Sequence, residues 1–475
     1  MVALKSCVAM FSTDLAKTAR GGRAGCPQTE RIHVLNTSNT IPLLDISKAF
    51  AIRGLKVVII TTPSNAPFIV SETSKHHNIS MSIISFPRVP ELPEGCENTA
   101  DLPSMAMLST FVEATKKMKQ PFERVLIDMI ADGHPPICMI SDFFLSWTLD
   151  SCHSFKITRI VSHGMGALSM AIRNSLTLLP LRTKPSLELD PIESPTLTFP
   201  FTLQKVDIPK GLLDYNPNYP YARIIVETRE ADINSWGVLV HSFEELEGDH
   251  VGAFESFYFN NAKAYCLGTF FLYNELKQEV EAEKVQMQSY SYIKRLEKQA
   301  SFDGHTVIYL SFGTQAHLLV DQLNEIAFVL DIAEHPFIWV KERVKEKGLV
   351  LHDLADQRSI LSHPAIGGFL SHSGWNSMLE SISIGVPLLA WPMLGVSELM
   401  IPHRGDSGEK IMTIGSDVIC DRVKALMEGR KGRKAREKAQ VLGRMARGAV
   451  EKGGSSDKKL DQLIGQLSNN KSGKS

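Results

Sequence analysis

The sequence predicts an α/β protein made of two successive doubly wound halves. Three observations carry that prediction. Short apolar runs of strand length alternate with longer segments whose apolar residues recur at helical spacing. The runs ICMISDFF, ITRIVSHG, GVLVHSF, HTVIYLSF and GVPLLAWP are nearly continuous in apolar character rather than alternating, as strands buried on both faces of a parallel sheet must be. At 475 residues the chain is too long for one core, and a charged stretch between 271 and 300 interrupts the pattern.

Taken in order, residues 1–30 carry Lys5, Lys17, Arg20 and Arg23 among Ser, Thr, Ala and Gly, with Asp14 the only acid before Glu30. That composition fits a disordered extension or a weak targeting segment. Folding is expected from Arg31, with IHVL as the first strand, PLLDISKAFAIRG as a helix ended by Gly54, and LKVVIITT as the second strand. Strand, helix and parallel strand in that order imply a right-handed crossover. A helix over Met105–Ala131, a strand at ICMISDFF, a helix at SWTLDSCHSF and a strand at ITRIVSHG extend the first domain, placed at 31–270. The Pro-, Ser- and Thr-rich segment 184–200 reads as a loop. Residues 271–300 read as a linker carrying a surface helix. The second domain, 301–475, opens on HTVIYLSFGT, turns at Gly313, and continues through a helix to about Ala333 and the strand FIWVK; its last helix is expected to pack back on the first domain.

Composition narrows the function. A formal net charge of -1 with 22% charged residues gives no basic excess for nucleic acid, and the local basic run near 430–448 reads as a solvated helix face. Seven cysteines stand singly without metal-ligand spacing, which fits a reducing compartment and argues against a zinc site or any other metal. No apolar run reaches the roughly 18 residues needed to span a bilayer. A monomeric cytoplasmic protein is the expectation.

The stretch from Leu354 to Ser397 is the most informative. Phe369-Leu370-Ser371 reads as a strand end, His372-Ser373-Gly374 as a tight turn and Trp375-Asn376-Ser377 as the first turn of a helix. A helix start presents unpaired N–H groups and partial positive charge, so such a junction suits a phosphate. GVPLLAWP, ending at Pro392, supplies a further strand whose carboxyl end would lie beside the same crevice. A nucleotide site is the first reading.

GGFLSHSGWNS with LESISIGVPLLAWPM resembles the signature box of plant UDP-dependent glycosyltransferases, and IPLLDISKAFAIRG, VVIITTPSNAPF and SDFFLSWTLDS extend the resemblance over nearly everything after Arg31. The resemblance implies the GT-B fold, two Rossmann-like domains facing a cleft, with the acceptor in the first half and the nucleotide sugar in the second. It implies diphosphate contacts for His372, Asn376 and Ser377, a place in the sugar pocket for Trp375, ribose binding for Glu380, and a nucleoside contact for Gln357. Thr314, in the turn Ser311–Thr314, would close the phosphate site.

Several positions depart from that pattern. Leu354 stands where the family has a tryptophan that stacks on uracil, and an aliphatic side chain has no comparable face. Val396 and Ser397 replace an acid and a glutamine that bind sugar hydroxyls, and Met400 replaces an asparagine. Ser38-Asn39 replaces a Gly-His pair whose histidine is the catalytic base, and Asn39 has no nitrogen that titrates near neutral pH. Asp142 matches the acid that would hold that histidine. His163, at the end of ITRIVSHG, is the better substitute base; His33 reads as a strand-end residue.

These departures lead to the expectation of a neofunctionalised enzyme that templates a sugar-independent cyclisation, cycloaddition or isomerisation of a small hydrophobic plant metabolite, requires no cofactor and keeps at most vestigial UDP binding. Holding a substrate in its reactive conformation supplies up to roughly 7–11 kcal/mol without a dedicated base. The alternatives are a residual UDP-glycosyltransferase acting on a small-molecule hydroxyl and a non-catalytic ligand binder. The acceptor pocket is expected in the loops 63–110 and 180–220.

Overall fold

The computed structural model describes residues 7–11, 40–178, 191–192, 197–198, 201–204, 220–275, 293, 296–298, 306–313, 318, 320–332, 335–340, 349–351, 356–391 and 413–472. These fall into two compact units, with the chain passing from the first to the second near 276 and returning to the first near 448.

The first unit holds a seven-stranded sheet of β1 (Cys7–Phe11), β2 (Lys56–Thr61), β3 (Ile79–Ile83), β4 (Pro136–Asp142), β5 (Thr158–His163), β6 (Gly237–Val240) and β7 (Lys263–Cys266), in the order β3-β2-β1-β4-β5-β6-β7. The second holds β8 (Val307–Ser311), β9 (Phe337–Val340), β10 (Leu349–Leu351), β11 (Ile366–Ser371) and β12 (Leu388–Ala390), in the order β10-β9-β8-β11-β12. Every ladder is parallel. β4 is buried along its whole length, as are β8 and β11, which accounts for their unbroken apolar sequences.

The expected extension at 1–30 is corrected by β1. Its backbone pairs with β2 on one side and β4 on the other, so that Ala9 lies opposite both Val58 and Met139 at the middle of the sheet. CVAMF is long enough for a strand, but the basic, small-residue composition around it conceals five residues of the opposite character. The run IHVL lies outside the described residues.

The single helix expected over Met105–Ala131 is two, Leu108–Lys116 and Lys119–Ala131, after a short turn at Met105–Met107. Pro121 explains the break, since its ring would clash with the carbonyl four residues earlier in a continuous helix. The two pieces also serve different cores. Phe111 and Val112 join Leu92 and Ile224, whereas Phe122 and Leu126 join Ile60 and Met139. The edge strands β3 and β10 went unpredicted because neither has a long apolar run; β3 is exposed or half-exposed throughout.

The linker expectation for 271–300 also needs revision at both ends. Leu272 and Tyr273 are buried in the first unit, while Ile293 and Leu296 pack with Val307 and Tyr309 in the core of the second. The final helix, Ser455–Ser472, belongs to the first unit. It buries Leu460, Leu463 and Leu467, and its Asp457 and Asp461 both pair with Arg53, the latter at 3.0 Å from Nε. Among the described residues, no helix is long and apolar enough to cross a membrane, and no group of three or more His, Cys, Asp or Glu is placed to hold a metal.

A chain beginning at Arg31 lacks the strand that joins β2 to β4. Such a truncation should lose the cooperative thermal transition of the full chain, monitored by circular dichroism; a truncated protein that melts cooperatively at the full-length temperature would contradict the central placement of β1.

Candidate functional site

In the second unit the strand order reverses between β8 and β11, and ligands of open parallel sheets bind outside the carboxyl ends of the strands at such a switch point. Ser311 and Ser371, the last residues of the two strands, stand opposite each other in register. The chain leaves β8 through Gly313, whose φ is +69°, and leaves β11 through Ser373, a non-glycine residue at φ +64°. The His372 ring fills the space between the two exits. A Cβ added at Gly313 would lie 2.8 Å from its Cε1, and one added at Gly374 would lie 2.4 Å from its Nε2. Only glycine admits the ring at either place.

The helix Trp375–Ile384 starts directly after this turn. Gly374 is its N-cap and brings no side-chain cap to the first N–H groups. His372 Nδ1 and Ser373 Oγ are both buried and lack a hydrogen-bond partner within the protein. Burial holds the His372 imidazole below its usual value, opposed by a hydrogen bond to the Ser311 carbonyl. Buried polar atoms without partners are costly, and here they converge on an uncapped helix start where a phosphate oxygen would meet them.

A second cluster adjoins the same helix. Asp356 caps the short helix Gln357–Leu361, accepting from the backbone N–H of Arg358 at 3.2 Å and of Ser359 at 3.3 Å. The cap aims the next two side chains inward. Gln357 Nε2 donates to Ser377 Oγ at 3.1 Å and to Glu380 Oε2 at 2.7 Å, and Arg358 Nε donates to Glu380 Oε1 at 2.7 Å. Gln357, Ser377 and Glu380 are buried, and Gln357 Oε1 has no partner within the protein. Of the residues expected here, Gln357, Ser377 and Glu380 are thus brought together, with His372 in the turn before the same helix and Trp375 and Asn376 half-buried in its first turn. Thr314, Leu354, Val396 and Ser397 lie outside the described residues.

In the first unit the switch point falls between β1 and β4, and Asp142 ends β4 there. Its Oδ1 accepts the Phe144 N–H at 2.8 Å. Asn39 lies outside the described residues. His163 is engaged elsewhere than in an open pocket. Its Nε2 lies 3.0 Å from Asp232 Oδ1 and 3.3 Å from Tyr258 Oη, and its ring packs on Phe143 with centroids 4.9 Å apart. Tyr258 Oη donates to the same Asp232 oxygen at 2.6 Å, and Arg173 stands 3.6 Å from the other. Burial alone would raise the Asp232 carboxyl, but the His163 charge and hydrogen bond, with Arg173 and Tyr258, hold it below the usual carboxylate range. As a substitute base His163 is therefore a poor fit: it is a buried member of a polar network. A groove of about 570 Å³ in this unit is lined by Arg159, Trp236, Lys263 and Tyr265, where β5, β6 and β7 begin, at the sheet edge opposite Asp142.

Sequence reading missed Arg358, Ser373 and the partners of His163. The spacing D-x-x-S at Asp356–Ser359 does signal a helix start, but which neighbour Arg358 would meet depends on the distant Glu380.

A parallel sheet whose strand order reverses at β8 and β11, with a helix starting directly beyond the end of β11, defines a Rossmann-like unit. The family model for UDP-glucoronosyl and UDP-glucosyl transferase matches residues 286–426, which contain the whole site. UDP-glycosyltransferase 90A1 of Arabidopsis thaliana is 33% identical over 470 residues, covering 91% of this chain and 95% of the relative. Scopoletin glucosyltransferase of Nicotiana tabacum is 31% identical over 476 residues, covering 92% and 96%. Among solved structures, UGT73P12 of Glycyrrhiza uralensis, complexed with glycyrrhetinic acid 3-O-monoglucuronide, superposes with a TM-score of 0.77 at 23% identity over 99% of this chain and 97% of that one. UGT2 of Phytolacca americana, complexed with UDP-2fluoro-glucose and pterostilbene, does so with 0.73 at 22% over 98% and 100%. The chain belongs to the plant UDP-glycosyltransferase family and has the GT-B fold.

Two outcomes follow from this geometry. Asp232→Ala removes the carboxylate that His163 and Tyr258 share in the core and should cost about 3–5 kcal/mol in urea unfolding. Because the Asp232 carboxyl titrates low in the folded state, its contribution is present above the unfolded carboxylate pKa near about 4 and disappears as pH falls through the lower folded value. Gly374→Ala keeps an ordinary φ of −62° but evicts the His372 ring, and should weaken inorganic pyrophosphate binding by about tenfold in calorimetry, about 1.4 kcal/mol.

Proposed function

We propose that this protein binds a UDP-sugar at the turn Ser371–Ser377 and transfers its glycosyl group to a hydroxyl of a small hydrophobic metabolite. The observation that carries the reading is the pair of buried, unpartnered atoms His372 Nδ1 and Ser373 Oγ in the turn that leads, at a switch point, into a helix without a side-chain cap. In this reading the diphosphate lies against the N–H groups of Asn376 and Ser377 and beside His372, with Thr314 closing the site. Trp375 lines the sugar, and Gln357 and Glu380 take the nucleoside. In the reaction the acceptor oxygen bonds to the anomeric carbon, the bond from that carbon to the diphosphate oxygen breaks, and UDP leaves with the electron pair. The acceptor proton has to go to a base.

Asn39 cannot be that base, and a missing base is worth roughly 10²–10⁴ in rate. Acceptors whose hydroxyl ionises easily, such as acidic phenols, are therefore favoured. Leu354, Val396 and Ser397 lower the affinity for uracil and for the sugar hydroxyls in the same reading. UDP release from UDP-glucose with a panel of phenols should be detectable and slow. Restoring Asn39→His with Leu354→Trp should raise it by about 10²; no release in either protein would refute the reading.

One observation favours a second reading. The departures at Asn39, Leu354 and Val396-Ser397 fall on three separate requirements, proton removal, base stacking and sugar binding. A sugar-independent conversion of a hydrophobic metabolite needs none of them, and turnover without added nucleotide sugar is its signature.

A further inference from the structure

Arg358 reaches the buried carboxylate of Glu380 through a single nitrogen. An ionised carboxylate offers about four lone-pair sites, two on each oxygen. Arg358 Nε occupies one on Oε1 and Gln357 Nε2 occupies one on Oε2, each at 2.7 Å, and one site remains on each oxygen. Only the amide nitrogen of Gln357 can face a carboxylate, so its Oε1, buried and without a partner in the protein, is fixed as a third acceptor beside them. Three grouped acceptors, two on the helix whose start suits a diphosphate and one on the helix packed beside it, call for a ligand group with adjacent O–H donors. A vicinal diol is that group.

Resting on the nucleotide reading above, we infer that Arg358 is a positioning residue that turns Glu380 toward the ribose diol and so sets selectivity for a ribonucleoside over a deoxyribonucleoside diphosphate. The guanidinium is planar and its N–H donors are fixed in direction, so it holds the carboxylate in one orientation. Its side chain is 22% exposed against 10% for Glu380, which places it on the outer side of the pair. A leucine at 358 leaves Glu380 held by Gln357 alone and free to rotate. A lysine keeps the charge but not the directed N–H.

The test is calorimetric titration of the full-length wild-type, R358L and R358K proteins with UDP, 2′-deoxyuridine diphosphate and inorganic pyrophosphate. Wild type should bind UDP at least about tenfold more tightly than the deoxy compound, the scale of one hydrogen bond to a charged group. R358L should bring that ratio within about threefold, R358K should fall between, and pyrophosphate affinity should stay within about twofold in all three. An unchanged ratio in R358L, or an equal loss of UDP and pyrophosphate binding, overturns the assignment, as does a wild type that binds UDP and the deoxy compound alike. If wild type binds neither UDP nor pyrophosphate, the nucleotide reading itself fails. R358K supplies the measurement should R358L not fold.

Discussion

The second unit is organised by a steric constraint, the His372 imidazole lodged between Gly313 and Gly374. Those glycines follow the ends of two neighbouring strands of one sheet, so the ring's place fixes the exits of β8 and β11 together. At the exit of β11 Ser373 lies in the left-handed region, a conformation that costs of order 1–3 kcal/mol for a residue other than glycine. Below the turn the sheet is rigid. Trp391 is fully buried edge-on to Phe312 with centroids 5.5 Å apart, and Leu370, Leu389 and Trp339 complete that core. A strained turn, an uncapped helix and buried polar atoms without partners sit on a well-packed support, the distribution expected where cost is tolerated for binding.

Much of this was legible in the sequence, for definite reasons. The strand–turn–helix signal at 369–377 combines three local cues, and all three survived folding: β11 ends at Ser371, the turn passes through Ser373 at φ +64° and the helix begins at Trp375. β1 was not legible because its five residues are placed by two non-local ladders, and composition averaged over thirty residues hides them. His163 was misread for a different reason. A strand's carboxyl end names a region, while side chains alternate between faces, and one residue of parity separates the sheet's open edge from the helix layer. The ring went to Phe143, Phe254 and Tyr258.

Arg358 shows the same limit at the site itself. Its sequence neighbour Gln357 is identifiable from the surrounding pattern, yet the partner that gives Arg358 a role lies 22 residues on, in another helix. A family pattern therefore marks where a site is and leaves open how its polar groups are shared. Here the carboxylate is already half satisfied by the protein, and the half that remains defines what a ligand must offer. In the proposed reading Asn39, Leu354, Val396 and Ser397 bear on rate and donor choice, and the diphosphate meets the turn Ser371–Ser377.

That turn is the centre of the account, and amide hydrogen exchange with and without UDP measures it directly. The account predicts slowed amide exchange on UDP binding over residues 373 to 378, where the helix begins without a side-chain cap, and no comparable change around Asp142 and His163. Exchange at 373–378 left unaltered by saturating UDP would contradict it.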